Sequence, residues 1–259
     1  MATVRYEKRD RIAWITLDRP AARNAIDAAM NAELAAVWAD FAAADDVDVG
    51  ILGGNGPVFC AGADLKTYIP RWAEANAADL RAYAGGPGLG GGLTRNGPRL
   101  HKPLVAAIDG PAFGGGFELA LACDLRIATT NARFGVFEVR RGLHQTDGGL
   151  TRLLAIAGLG VALDLTLTGR EVGAEEAFRL GLVSRLVAPE ALAETVETTA
   201  RGILANSQRA LRSAKETLHA LVGRSLTDAL NLEALNGYSC PGDYAEVQER
   251  LARFFAKEA

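Results

Sequence analysis

The chain has 259 residues, of which 49% are hydrophobic and 23% charged, and 28 Lys and Arg residues against 31 Asp and Glu leave a formal charge of −3. This balance is typical of a folded globular domain and excludes a disordered chain. It lacks the basic excess that nucleic-acid-binding proteins usually carry. The length fits one large domain or a domain with an appendage.

Cysteine is sparse, with Cys60, Cys123 and Cys240 in the whole chain. The odd number and the lack of a C-x-x-C pair argue against a disulfide framework and a zinc site. Segment 1–11 is too charged to hold the apolar core of a signal peptide. No uninterrupted run of about 18 apolar residues occurs, so no membrane span is expected. We therefore expect a cytoplasmic protein that acts neither on nucleic acid nor at a membrane.

The first part of the chain predicts a hairpin, a helix and then buried strands. Apolar residues alternate over 4–17, around a charged turn at 7–11. Asp27 is placed to cap a helix whose apolar residues follow at 30, 34, 37 and 41. Buried strands are predicted at 47–52, 104–108 and 125–129. Strands that alternate with helices predict an α/β fold with mostly parallel pairing.

The pattern after Pro189 is almost entirely helical. One apolar stripe includes Leu211 and Leu218, and another includes Val247 and Phe254. Stripes of this kind usually bury against the same chain or a neighbouring subunit. We predict a core with the active site over 1–195 and a C-terminal helical region over 196–259 for oligomerisation or as a lid.

A glycine-rich stretch, G-G-P-G-L-G-G-G, occupies 85–92 and formally satisfies G-x-G-x-x-G. It follows a helix-like segment rather than a strand, and no helix opens on it, so a dinucleotide site is rejected. The stretch is predicted to be a mobile surface loop.

Two segments share a pattern, F-C-A-G-A-D-L at 59–65 and F-G-G-G-F-E-L at 113–119. Each follows a predicted strand and a Gly-Pro turn, and each carries an acid two places after a glycine. In the simpler interpretation these are tight strand-to-helix turns, and Asp64 and Glu118 are ordinary acids in the first turn of a helix. Alternatively, two matching turns aim their free N–H groups at one point, which would form an oxyanion hole.

These segments resemble the crotonase, or enoyl-CoA hydratase/isomerase, superfamily. The resemblance runs from about residue 13 to residue 187, with looser agreement in the helical tail. Its motifs are R-P-A-A-R-N-A (19–25), F-C-A-G-A-D-L-K (59–66), the long segment 102–124, F-G-V-F-E (134–138), G-G-L-T-R-L (148–153), L-T-G-R (167–170) and A-F-R-L-G-L-V (177–183).

The resemblance implies a spiral of ββα repeats with a C-terminal helical region, assembled as a trimer or a dimer of trimers. It places the oxyanion-hole N–H groups on Ala63 and Gly115 and the catalytic glutamates at Glu118 and Glu138. It implies a lyase of fatty acid metabolism, as in β-oxidation. No cofactor is expected beyond the CoA of the substrate, and no metal.

Hydratases of this family keep both glutamates, as this chain does. The implied reaction is the reversible syn addition of water to a 2-trans-enoyl-CoA, which gives a 3-hydroxyacyl-CoA. In our hypothesis Glu118 activates water and Glu138 protonates C2. The alternatives are an isomerase that uses Glu138 alone, another thioester-enolate reaction, or a non-catalytic CoA-binding protein. Without the resemblance, Glu138 would be interpreted as a surface acid paired with Arg140 or Arg141.

The phosphates of CoA call for cations near the entrance. The resemblance places Lys66, together with Asp64, near the CoA phosphates and the main chain at Ala61 near the adenine ring. Arg23 and Lys257 are weaker candidates, for which a solvated surface charge is the simpler interpretation.

The loop after Glu138 departs from the family, because V-R-R-G-L-H-Q-T-D-G-G (139–149) is polar where a small Pro/Gly-rich loop is common. Phe137 is also bulkier than the proline often found there. These changes favour a branched, aromatic or polar acyl group over a plain fatty acyl chain. His144 and Asp147 are candidates to join the acid–base chemistry, although a single loop histidine is more often structural.

Overall fold

The structure, a computed structural model, describes residues 2–241 and 244–258. Its central sheet has six strands, which are, in spatial order, β1 (Val4–Arg9), β2 (Ile12–Leu17), β3 (Val49–Gly54), β4 (Leu104–Ile108), β6 (Leu125–Thr129) and β9 (Arg185–Val187). The first pair is antiparallel, and every later pair is parallel. A second sheet contains β5 (Pro111–Phe113), β7 (Arg133–Gly135) and β8 (Val172–Gly173).

The α-helices lie between and after the strands. They are α1 (Ala28–Ala43), α2 (Leu65–Glu74), α3 (Ala77–Gly85), α4 (Gly115–Ala122), α5 (Gly149–Thr168), α6 (Ala174–Arg179), α7 (Leu192–Ala205), α8 (Gln208–Leu221), α9 (Leu226–Ser239) and α10 (Ala245–Glu258). Short 3-10 helices occupy Pro20–Ala22, Glu138–Arg141 and Pro189–Ala191. The α/β class predicted from the sequence is confirmed.

Local signals account for the first elements. Asp10 and Arg11 both have positive φ, the conformation of a tight two-residue hairpin turn between β1 and β2. The Asp27 side chain accepts from the Met30 N–H at 2.9 Å, so the predicted cap of α1 is confirmed. The strands β4 and β6 have the predicted bounds, whereas β3 begins two residues later than expected.

The two glycine-containing turns lie side by side. Cys60 pairs with Ala112 in a parallel bridge, and the Phe113 N–H donates to the Cys60 carbonyl at 3.0 Å. The repeated sequence pattern therefore marks two neighbouring turns of one structural repeat, each leading into a helix, α2 or α4.

The C-terminal helices attach to the core in two ways. Val196 and Ala200 of α7 pack on the central sheet in one buried cluster with Ile12, Val49, Ile51, Val105 and Ile127. The next helix, α8, is tied to the core by a Lys215–Asp124 ion pair at 2.7 Å. The predicted division at residue 195 stays a prediction, and α7 crosses it.

The glycine-rich stretch is not a mobile surface loop, so that prediction is wrong. Gly88 to Gly92 are buried, the Trp38 indole donates to the Gly90 carbonyl at 2.6 Å, and the Gly91 N–H donates to Asn31 at 2.9 Å. A Cβ on Gly91 would lie 2.3 Å from the Ala35 nitrogen in α1. The glycines thus let this segment lie directly on the helix backbone.

One helix of the described part, α5, is by length and composition apolar enough to cross a membrane, with a mean hydropathy of 1.7. This helix was not predicted from the sequence as a possible membrane span, because the criterion was an uninterrupted apolar run. The chain leaves the helical conformation at Gly158 (φ 79°, ψ 168°), and Leu153 and Leu165 are buried in the core. Four of its other leucines are 46–75% exposed: Leu154, Leu159, Leu163 and Leu167. Helix α5 is therefore part of the folded domain and presents an apolar face.

Gly91→Ala tests the contact with α1. The new methyl group meets backbone atoms, and φ is +69°, so we expect a loss of about 2–4 kcal/mol in the free energy of unfolding. Gly85→Ala is the matched control, because its Cβ meets nothing within 4 Å. Urea unfolding at one protein concentration measures both variants. Equal stabilities of the two variants would contradict the described packing.

Candidate active site

Two backbone turns meet where the glycine pattern predicted an oxyanion hole. A Cβ on Gly62 would lie 2.9 Å from the Gly115 nitrogen, and a Cβ on Gly115 would lie 3.4 Å from the Ala63 nitrogen. Gly62 also has φ +92°, and Gly114, which precedes α4, has φ +53°. The structure therefore brings the main-chain amides of Ala63 and Gly115 together, in a space that a side chain at Gly62 would fill.

Within the described part of the chain, both amides are free of protein acceptors. Neither the Ala63 nor the Gly115 N–H donates to any described residue, although the neighbouring Asp64 N–H donates to the Ile26 carbonyl at 2.9 Å. Gly115 is the first residue of α4, where an N–H has no partner within the helix. Two adjacent unpaired N–H groups can stabilise one developing negative charge.

Glu118 lies in the first turn of α4 and is only 3% exposed. Its Oε1 accepts from the Gly149 N–H at 2.9 Å and from the Asp147 N–H at 3.1 Å. Burial raises the pKa of Glu118 to about 7, and the charges of Asp147 and Glu138 act in the same direction, while the two backbone donors lower it. The side chain can therefore take up or release a proton near neutral pH.

Glu138 begins the 3-10 helix after β7. A Cβ on Gly114 would lie 2.9 Å from its Oε1, and the Gln145 amide donates to its Oε2 at 3.3 Å. Burial raises the pKa of Glu138, and the Gln145 hydrogen bond opposes the rise. Glu138 forms no ion pair with any described residue. Arg141 instead donates to the Phe137 carbonyl at 3.1 Å, and Arg140 lies over the Phe137 ring at 4.8 Å.

The loop from Gln145 to Gly149 connects the two carboxyl groups. Gln145 contacts Glu138, whereas Asp147 and Gly149 hold Glu118. Two carboxyl groups with raised pKa values therefore lie around the start of α4, next to the pair of free amides. General acid–base chemistry beside a developing oxyanion needs groups of these types.

The predicted CoA-binding residues lie around the first glycine turn. The Ala61 N–H donates to the Arg23 carbonyl at 3.0 Å, so these two residues are adjacent. Arg23 and Lys66 are exposed. Asp64 caps α2 through the Lys66 N–H at 3.1 Å and pairs with Arg19 at 2.8 Å, and this hydrogen-bonded ion pair lowers its pKa. The side chain of Lys257 lies outside the part that the structure describes.

Comparison with known proteins decides the family. The sequence profile of the enoyl-CoA hydratase/isomerase family matches residues 7–259. The chain belongs to the enoyl-CoA hydratase/isomerase family. It is 38% identical over 208 residues to mevalonyl-coenzyme A hydratase of Aspergillus fumigatus, which covers 80% of this chain and 74% of the relative. It is 38% identical to (E)-benzylidenesuccinyl-CoA hydratase of Thauera aromatica, over 86% of this chain and 84% of that protein.

Solved structures of the family share the fold. Enoyl-CoA hydratase from Bacillus anthracis has a TM-score of 0.87 at 30% identity, over 99% of this chain and 97% of that one. Enoyl-CoA hydratase from Mycobacterium tuberculosis H37Rv has a TM-score of 0.86 at 35% identity, over 100% and 97%. The crotonase-type fold expected from the sequence motifs is confirmed.

Two contacts in this hydratase-family site were not anticipated. Leu89 packs on the turn of the free amides, because a Cβ on Gly115 would lie 2.3 Å from its Cδ2. Asp147 bonds to Glu118 through its main chain. The polar loop 139–149 was expected to reshape the acyl pocket, and Asp147 was a candidate for acid–base chemistry, but a main-chain bond from Asp147 to Glu118 was not predicted. The sequence did carry one signal for Leu89, because it is a large apolar residue within the glycine-rich stretch.

The raised pKa of Glu118 predicts a pH-dependent stability. The native state keeps this proton up to about pH 7, whereas an unfolded glutamate releases it near 4.5. The native state therefore binds more protons in this window, and stability falls as pH rises through it, by roughly 2–3 kcal/mol. Glu118→Gln should remove this loss in urea unfolding measured at pH 4.5 and pH 8. Glu74→Gln, an exposed control, should follow the unsubstituted protein, and a Glu118→Gln curve as steep as that protein's would refute the assignment.

Proposed function

We propose that this chain is an enoyl-CoA hydratase, a hydro-lyase that adds water reversibly to a 2-trans-enoyl-CoA to give a 3-hydroxyacyl-CoA. The observation that carries the proposal is the meeting of two free amides, at Ala63 and Gly115, with two carboxyl groups of raised pKa, the buried Glu118 and the half-buried Glu138. The hydratases among its relatives support the same activity.

The two amides receive the thioester oxygen. Attack at C3 of the conjugated thioester moves negative charge onto the carbonyl oxygen, and N–H groups already in place stabilise that charge in the transition state. Loss of one such donor typically costs about 3–4 kcal/mol. Gly62 and Gly115 are therefore required as glycines by the reaction as well as by the packing.

The two glutamates move the protons. Glu118, ionised, takes a proton from water as the oxygen bonds to C3, and Glu138, protonated, delivers a proton to C2. Turnover is completed when proton exchange with solvent returns each carboxyl group to its starting protonation state. The pKa of each is raised by burial, and each charge influences the other, so they titrate as a pair.

The CoA moiety lies along the first glycine turn in this proposal. The main chain at Ala61 meets the adenine ring, and the exposed Lys66 and Arg23 meet the phosphates. The carboxyl group of Asp64 keeps this turn in place through the cap of α2 and the Arg19 ion pair. We propose no cofactor beyond the CoA of the substrate, and a cytoplasmic location.

The acyl group is proposed to be branched, aromatic or polar. The Gln145 Oε1 is buried and accepts no hydrogen bond in the described part of the chain, although its amide nitrogen donates to Glu138. A hydroxyl group on the acyl chain would satisfy this acceptor. The relatives named above include hydratases of mevalonyl-CoA and (E)-benzylidenesuccinyl-CoA.

The quaternary structure is proposed to be a trimer or a dimer of trimers. The apolar face of α5 is largely exposed, and α9 and α10 expose further large apolar residues, which include Leu235, Tyr238, Phe254 and Phe255. Exposed apolar surface of this extent usually marks an interface.

Turnover of 2-enoyl-CoA tests the two-glutamate mechanism. Glu118→Gln and Glu138→Gln should each lower kcat about 10²- to 10⁴-fold, because a positioned proton donor or acceptor is lost, while KM changes little. Loss of the absorbance of the conjugated thioester measures hydration. Glu74→Gln makes the same chemical change outside the site and should keep full activity.

Two further observations would count against hydration by both glutamates. Full activity of either site variant would do so. Isomerase activity alone would also count against it. In that case the protein makes the conjugated thioester from 3-enoyl-CoA but leaves 2-enoyl-CoA unchanged. A series of short, long, branched and aromatic 2-enoyl-CoA thioesters then identifies the preferred acyl group.

Light scattering tests the assembly. At micromolar concentration we expect a mass three or six times the 27.3 kDa of the chain. Leu163→Glu places a charge on the exposed apolar face of α5 and should lower that mass, whereas Glu74→Gln should not. A monomeric unsubstituted protein would overturn the proposed assembly.

A further inference from the structure

Asp147 connects two parts of the active site that are far apart in sequence. Its Oδ1 accepts from the Leu89 N–H at 2.8 Å and lies 3.2 Å from the Thr94 hydroxyl, which also lies 2.8 Å from the Leu89 carbonyl. Its own N–H donates to Glu118 Oε1 at 3.1 Å. The side chain is 15% exposed, and Arg95 approaches it at 3.7 Å. One residue therefore holds the segment 88–95 at one end and the carboxyl group of Glu118 at the other.

The segment 88–95 covers the oxyanion turn. The Leu89 side chain lies against Gly115, and a Cβ on Gly90 would lie 2.4 Å from Leu119 Cδ1, in α4. A Cβ on Gly88 would lie 2.4 Å from the Asp147 Oδ1 itself. Position 88 can therefore lie this close to Asp147 only as glycine. The position of Leu89 depends on the acceptor that Asp147 provides for its N–H.

We propose that Asp147 is a positioning residue, which locks the segment 88–95 over the oxyanion amide of Gly115 and fixes the carboxyl group of Glu118 beside it. The inference deepens the proposed hydration reaction and rests on it. Asp147 is not placed to move a proton itself, because the Leu89 N–H and the Thr146 hydroxyl already donate to its two carboxyl oxygens.

Asp147 contributes an acceptor and a charge, and these can be separated. The acceptor keeps Leu89 in place, so its loss misplaces the wall of the oxyanion site. The charge faces Glu118, as does that of Glu138 after β7. The cations of this group are Arg152 from α5, Arg95 beside Asp147 and Arg141 beside Glu138. Removal of the Asp147 charge favours the ionised form of Glu118, which shifts its titration to lower pH.

The experiment compares Asp147→Asn, which keeps the acceptor, with Asp147→Ala, which loses it. Asp147→Asn should lower kcat at pH 8 less than Asp147→Ala does, and it should shift the acidic limb of kcat/KM to lower pH by roughly 0.5–1 unit. Asp147→Ala should shift the same limb and also lower kcat about 10- to 100-fold with a smaller change in KM. Thr94→Val, which removes a donor and no charge, should lower kcat without moving the limb.

Asp48→Asn is the structural control. Asp48 is 4% exposed and pairs with Arg11 and Arg212, outside the active site, so its loss should lower Tm and leave the pH profile unchanged. The positioning role is overturned if Asp147→Asn and Asp147→Ala keep the original pH profile and kcat. It is equally overturned if their activity falls only in proportion to the folded fraction.

A readout that does not depend on turnover separates this inference from the proposed function. In urea unfolding, Asp147→Asn should lose less stability between pH 4.5 and pH 8 than the unsubstituted protein, because Glu118 titrates lower. If the unsubstituted protein does not hydrate 2-enoyl-CoA but this difference is present, the proposed function fails and the contact of Asp147 with Glu118 stands. If the difference is absent, the inference fails whatever the activity. If Asp147→Ala does not fold, Asp147→Asn and Thr94→Val still decide.

Discussion

The site depends on two backbone turns that touch without side chains between them. A Cβ on Gly62 would lie 2.8 Å from the Phe113 carbonyl, and one on Gly116 would lie 2.1 Å from the Cys60 carbonyl. Such distances are shorter than any carbon–oxygen contact that packing tolerates, so glycine is obligatory at both turns. The close approach leaves the amides of Ala63 and Gly115 adjacent and unpaired. The same contact therefore sets the fold of the repeat and creates its free donors.

The two turns use the same sequence pattern for different purposes. Asp64, the N-cap of α2, is short enough to accept from the Lys66 N–H in the first turn, and its Arg19 partner keeps it ionised. Glu118 lies in the buried first turn of α4, and its longer side chain reaches the start of α5 instead. Burial without a bonded cation raises the pKa of Glu118 to about 7, whereas the pKa of Asp64 is lowered, so of these two acids Glu118 is the one that titrates near neutral pH.

Sequence predicts those parts of the molecule that local chemistry determines. The Asp27 cap, the strand 104–108 and the helices after Pro189 depend on residues close in the chain. The glycine-rich stretch was mispredicted, because its burial depends on Asn31 and Trp38, more than fifty residues away. Periodicity alone did not locate the site residues. The family motifs supplied the predicted site residues, and the links through Asp147 and Leu89 required the three-dimensional arrangement.

In the proposed reaction, the loop 145–149 couples substrate shape to acid–base chemistry. Gln145 holds Glu138, while Asp147 and Gly149 hold Glu118, so the loop that departs most from the family pattern contacts both carboxyl groups. A substitution that reshapes the acyl pocket here also changes the hydrogen bonds and charges that set the two pKa values. Selection for a new acyl group must therefore act on a loop whose main chain preserves the Glu118 donors while its side chains vary. Main-chain donors at Asp147 and Gly149 meet that requirement, because most side-chain changes leave a backbone N–H in place.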